Sequence, residues 1–196
     1  MRTWTHLAML LAVPITGHMC VGAEIPYNFT WDPGSSGFSW HSSANWDGGP
    51  SANWPDDNYD GAIFLAAAGS PELGRDVKGN DGLGLGQLDF RTAGWSVNNE
   101  AGGDYTIYFD SLSWFDYNAI SSRGSGLNYI NTKTQFSSAP QNIHTGSGNT
   151  LVINAAIGGS YAPVISSFNP LAEDTGAVRL DTASTVSGSF YVRQGT

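Results

Sequence analysis

The sequence predicts an all-β protein, a right-handed parallel β-helix closed at its start by a Trp-rich N-terminal cap. Three observations predict it. Short apolar pulses recur from Leu83 to Ile157 without any helical period: Leu88-Asp89-Phe90, Trp95-Ser96-Val97, Tyr105 to Phe109, Tyr129-Ile130 and Leu151-Val152-Ile153. Between them lie turn segments rich in Gly, Ser, Thr and Asn, such as Asn98 to Gly103, Ser121 to Gly126 and Thr145 to Asn149. Those turns contain no Asn-Gly hairpin pair, so successive strands are expected to stack as coils rather than fold back on one another. A jelly-roll β-sandwich assembled from the same short strands is the alternative.

Residues 1–23 read as a signal peptide. Arg2 provides the positive start, Leu7 to Ile15 an apolar segment too short to span a bilayer, and Val21-Gly22-Ala23 a small-residue cleavage site, with Glu24 as the mature N-terminus. Met19 before Cys20 speaks against a lipoprotein signal, and cleavage removes the only cysteine. The mature chain then relies on burial and backbone hydrogen bonding instead of disulfides. Without Arg2 there remain 7 cationic against 17 anionic side chains, a formal net charge of −10. That charge speaks against nucleic acid and anionic membrane surfaces as partners, and no membrane span is expected in the mature chain. Fourteen of the acids precede Tyr117, and none lies between Tyr117 and Ala172. The later coils are therefore expected to present hydroxyl and amide surfaces.

In chain order, residues 24–62 form the cap, with Trp31, Trp40, Trp46 and Trp54 at irregular spacing among Gly, Pro, Asn and Asp. Asp60 to Phe64 is the turn and strand that leads into the body. Ala68 to Gly86 is a polar, Gly-rich excursion; a short helical turn at Pro71-Glu72-Leu73 is conceivable, but the segment is assigned as loop. Within it, Gly82-Leu83-Gly84-Leu85-Gly86 has the wrong glycine spacing for a nucleotide loop and reads as a flexible connector. The β-helix occupies residues 63–196, with strands around Ile107, Ile120, Ile130, Phe136, Ile143, Ile153, Val164, Val178, Val186 and Val192. The last segment, Thr185 to Thr196, is a strand, turn and strand with no polar cap. An open coil exposes a sheet edge, so further repeats or another chain are expected to cover it.

Chemistry is sparse. Asp56, Asn58 and Asp60, followed by Gly61, place oxygens at positions 1, 3 and 5 and glycine at 6 of a calcium loop. Position 12 is Ala67 instead of a bidentate Glu, and the same residues make a turn that needs no ion. Calcium is thus the one cofactor candidate. The indoles serve either as a stacking platform for sugars or as the buried core of the cap. Trp114, Phe115 and Tyr117, within Asp110 to Tyr117, are the candidate carbohydrate contacts. The mature histidines are His41 and His144, far apart in sequence, and no G-x-S-x-G turn occurs, so no catalytic residue is assigned. Asp89, Asp104, Asp110 and Asp116 are read as solvated charges spread over strands and turns.

Trp31-Asp32-Pro33-Gly34, Trp40 to Trp46 and Asp60-Gly61-Ala62-Ile63-Phe64 together resemble the "W-D…W…A-N-W…D-A-x-F" opening of large secreted bacterial proteins built from autotransporter-associated β-strand repeats, often found beside PEP-CTERM-type surface proteins. Gln87 to Phe90 with Trp95 to Asn98 resembles their first coil, Gly148 to Gly159 a later "G-N-x-L-x-I-x-x-x-I-x-G" coil, and Thr185 to Thr196 a terminal repeat. The resemblance implies a right-handed parallel β-helix that is structural or adhesive and carries no catalytic residues. The expected function is an exported, non-catalytic surface module, with a cell-surface glycan or another surface protein as partner. Its expected place is the cell surface, the outer membrane or the extracellular space. A carbohydrate-binding or polysaccharide-cleaving β-helix is the alternative.

Overall fold

The computed structural model describes residues 27–32, 37–49, 53–57, 59–65, 69–74, 77, 84–110, 118–137, 141–167, 176–186 and 191–193. The signal peptide lies outside these residues. The chain is a parallel β-solenoid with three sheets, and among the described residues no helix is long and apolar enough to cross a membrane.

The cap supplies β1 (Tyr27–Trp31), a single 3-10 turn (Ser43–Asn45) and β2 (Trp46–Gly48). β1 and β2 make the one antiparallel pairing among the described residues, while β1 runs parallel to β3 (Asp60–Phe64), so the cap is hydrogen-bonded into the first sheet. A partial coil continues through β4 (Glu72–Leu73). Three complete coils follow, each contributing one strand per sheet. They are β5 (Gln87–Phe90), β6 (Ser96–Asn99) and β7 (Thr106–Phe109); then β8 (Asn118–Ser122), β9 (Gly126–Ile130) and β10 (Lys133–Phe136); then β11 (Asn142–Thr145), β12 (Asn149–Ile153) and β13 (Ile157–Gly159). β14 (Val164–Ser167), β15 (Ala177–Leu180) and β16 (Tyr191–Arg193) extend the stack. The jelly-roll alternative falls because neighbouring coils pair in parallel throughout.

The core is a set of register ladders. Phe29, Ala62, Leu88, Ile120 and Ile143 are successive buried partners in the eight-stranded sheet, and Val97, Ile130 and Ile153 in the five-stranded one. In the third sheet Phe109 stacks on Phe136 at 5.2 Å with an 18° interplanar angle. Each fully buried aliphatic or aromatic side chain contributes about 1.5–3 kcal/mol against the entropy of ordering the chain. Thr134 interrupts the apolar row between Ile107 and Ile157, where its hydroxyl is buried without a hydrogen-bond partner.

Three expectations need correction. The excursion from Ala68 to Gly86 is not all loop: β4 is too short to carry a periodic signal, yet it pairs with β6 and bridges Ser39 of the cap. Gly84 to Gly86 is no slack connector either. Leu85 is fully buried and bridges Phe109, and a Cβ on Gly84 would fall 1.9 Å from the Tyr108 carbonyl oxygen, so only glycine fits there. Val186 follows the third sheet without forming a strand, held where the Thr185 amide donates to the Ile157 carbonyl.

Candidate functional site

Of the cap indoles, Trp31, Trp40 and Trp46 are buried and Trp54 packs half-buried at the core's margin. Their common neighbour is Phe64 of β3, fully buried, with ring centroids 6.1, 6.2 and 5.9 Å from Trp31, Trp40 and Trp46. On its other side Phe64 meets Phe90 at 5.2 Å and Trp95 at 4.9 Å. The indole N–H of Trp40 donates to the Pro55 carbonyl and that of Trp46 to the Trp40 carbonyl, which satisfies two polar atoms inside an apolar cluster. These three rings are turned inward and offer no sugar platform. Trp114, Phe115 and Tyr117 lie outside the described residues.

In the calcium candidate, Asn58 lies outside the described residues and Asp60 is occupied. Its Oδ2 accepts the backbone N–H of Asp56 at 3.0 Å and of Asp57 at 3.1 Å, so the carboxylate caps its own turn. Asp60 is buried, and loss of hydration pushes its pKa up to about 6 from 3.8 despite those two donors. Among the described residues no group of three His, Cys, Asp or Glu side chains is placed to hold a metal ion.

Two amide networks connect the coils. At the corner between the eight- and five-stranded sheets, buried Asn149 accepts from the Ser122 hydroxyl at 2.6 Å and donates to the Arg123 and Gly124 carbonyls at 3.1 and 2.8 Å. Asn128 accepts the Trp95 amide N–H and donates to Ser122 and the Thr92 carbonyl. At the next corner, Asn131 donates to Asn98 at 2.6 Å and Asn154 donates to Asn131 at 2.7 Å, one rung after another. Such ladders saturate amide groups between stacked strands.

The most unusual polar group lies on the outer face of the eight-stranded sheet. Leu88 and Phe90 point inward, so Asp89 between them points outward, yet it is only 2% exposed. This corrects the expectation that Asp89 is a solvated charge. Its Oδ2 accepts Arg91 Nε at 2.9 Å, and its Oδ1 lies 3.7 Å from Arg123 Nε with no hydrogen-bond partner. Register places Ser121 beside Asp89 and His144 beside Ser121. Ser121 is fully buried, and its hydroxyl also lacks a partner. Arg91 and Arg123 occupy the same place on adjacent rungs, since the Arg91 amide donates to the Phe64 carbonyl and the Arg123 amide to the Phe90 carbonyl. The two guanidinium side chains are 45% and 39% exposed.

The chain matches no family model, no curated protein and no solved structure. What this face can do therefore rests on its own chemistry. A serine flanked by histidine and aspartate on separate strands places serine in the middle, whereas a hydrolytic relay needs histidine between the other two. The arrangement suits holding a ligand through guanidinium forks better than activating a nucleophile. Sequence reading overlooked it because Arg123 and Asp89 are brought together only by coil stacking. The outward parity of Asp89 next to Arg91 was the one available signal.

Proposed function

We propose that the protein is an exported, non-catalytic structural and adhesive surface module of passenger type, related in design to proteins with autotransporter-associated β-strand repeats. The observation that carries this reading is the continuous packed interior, closed at one end by indoles, with the amides of successive coils joined in ladders. Such a body is stiff along its axis, because each coil is bonded to its neighbours through backbone and side chain alike. Its polar surface offers many weak contacts to a cell-surface glycan or another surface protein. Residues 1–23 direct export and leave Glu24 as the first mature residue.

The test is an adhesion assay with beads coated with the purified chain, set beside N-terminal sequencing of the exported product. Beads should adhere to glycan-bearing surfaces under flow, and the mature chain should begin at Glu24. Beads that wash off every surface overturn the adhesive role, and an intact N-terminus in the exported product overturns the signal peptide. The carbohydrate-binding alternative is favoured by the outward Asp89, Arg91 and Arg123 group. A polysaccharide-cleaving version predicts new reducing ends on incubation with the bound glycan, and none are expected.

A further inference from the structure

We infer that the outer face of the eight-stranded sheet, at Asp89, Arg91, Ser121, Arg123 and His144, binds uronate units of an acidic polysaccharide. This deepens the adhesive reading above and rests on it.

Two features set the face apart. Arg91 and Arg123 stand one rung apart, about 4.8 Å along the solenoid by strand spacing. Arg91 is held from behind: its Nε is spent on Asp89 Oδ2, which fixes the plane of the fork while the side chain stays nearly half exposed. Beneath the two arms lie two oxygens without hydrogen bonds, Asp89 Oδ1 and Ser121 Oγ, both in residues at least nine-tenths buried. Buried polar atoms of this kind are normally satisfied, and leaving them bare is unfavourable in a ligand-free fold.

The ligand class follows from what the group lacks. Guanidinium forks pair with carboxylate in a planar, two-bond geometry. Asp89 Oδ1 is an acceptor and calls for an O–H or N–H donor, while the Ser121 hydroxyl accepts or donates. A ligand that brings an anionic carboxylate and neighbouring hydroxyls on one ring meets all three demands. A phosphodiester chain without hydroxyls does not, since its anionic oxygens would face Asp89 Oδ1. The Arg123 contact to Oδ1 at 3.7 Å is longer than a hydrogen bond, so the acceptor capacity of Oδ1 is left for a sugar hydroxyl. His144, on the next rung beside Ser121, borders the same ligand.

The experiment titrates the full chain with polygalacturonate by calorimetry, with dextran as the neutral control and polyphosphate as the non-sugar anion. Polygalacturonate should bind, more weakly as salt rises, and dextran should not. Replacing the whole charged group at once, D89N/R91Q/R123Q, avoids stranding a buried carboxylate and should weaken binding at least about tenfold with the fold intact. The R91K/R123K variant keeps the charges but loses the forks, and should bind several-fold more weakly; it also serves if the triple variant does not fold. K133Q, whose lysine pairs with Asp104 on another sheet, should bind as the parent does. Binding that is unchanged in the triple or lysine variant, equal for dextran, or stronger for polyphosphate overturns the inference. If the triple variant's beads also adhere as well as the parent's, the uronate site is wrong and the adhesive reading stands. Loss of all adhesion by the parent removes both.

Discussion

Replacing Asp60 with Asn separates two opposing influences on a buried carboxylate. Dehydration favours its neutral form, while the N–H groups of Asp56 and Asp57 favour the charged one, and dehydration wins, with a pKa of about 6 against an ordinary 3.8. A group whose pKa is raised by folding contributes stability that is fully present below its unfolded pKa and is lost as pH rises through its folded one. Here that window runs from pH 3.8 to about 6. At about 1.4 kcal/mol per pH unit the displacement corresponds to about 3 kcal/mol, and partial access of water to the turn brings the expected effect to about 1–3 kcal/mol. The Asn variant keeps an acceptor for the two amides and has nothing to titrate. Relative to the parent it should gain about 1–3 kcal/mol between pH 4 and pH 7.5, or about 3–9 °C in Tm for a domain of this size. Thermal melts followed by tryptophan fluorescence at several pH values read this directly. Comparing the two proteins at each pH cancels the general repulsion of an acidic chain. A difference that stays flat, or that moves toward the parent as pH rises, would show that the two backbone donors outweigh dehydration and refute the reasoning.

Three further substitutions test the packing. Phe64→Ala removes the ring that touches three cap indoles and two residues of the next coil, and should cost about 3–5 kcal/mol in denaturant unfolding. Thr134→Val exchanges an unsatisfied buried hydroxyl for a methyl group of nearly the same shape, and should raise the urea midpoint by the equivalent of about 1 kcal/mol. Asn149→Ala takes a donor from the Arg123 and Gly124 carbonyls and the acceptor from the Ser122 hydroxyl, with an expected loss of about 2–4 kcal/mol and faster amide hydrogen exchange at Gly126 and Gly146.

The coil architecture was legible because short apolar pulses such as Leu88 to Phe90 and Leu151 to Ile153 are separated by turn chemistry without hairpin pairs. The repeat itself was hidden. The interval from Leu88 to its partner Ile120 is much longer than that from Ile120 to Ile143, so no fixed period survives in the sequence. β4 and Leu85 escaped notice because two-residue strands and single bridges are defined by what they pair with, and their partners lie a full coil away. Asp89 was misread for a related reason. Outward parity normally means water, and the approach of Arg123 from one rung on exists only once the coils stack.

The ring cluster around Phe64 also gives the molecule a direction. Because one side chain belongs at once to the cap and to the coil beyond it, the two halves of that end cannot loosen separately: peeling away the indoles uncovers the start of the solenoid in the same step. Deletions from that end should therefore abolish the native state abruptly, while amide protection should decline gradually, rung by rung, with distance from the aromatic knot.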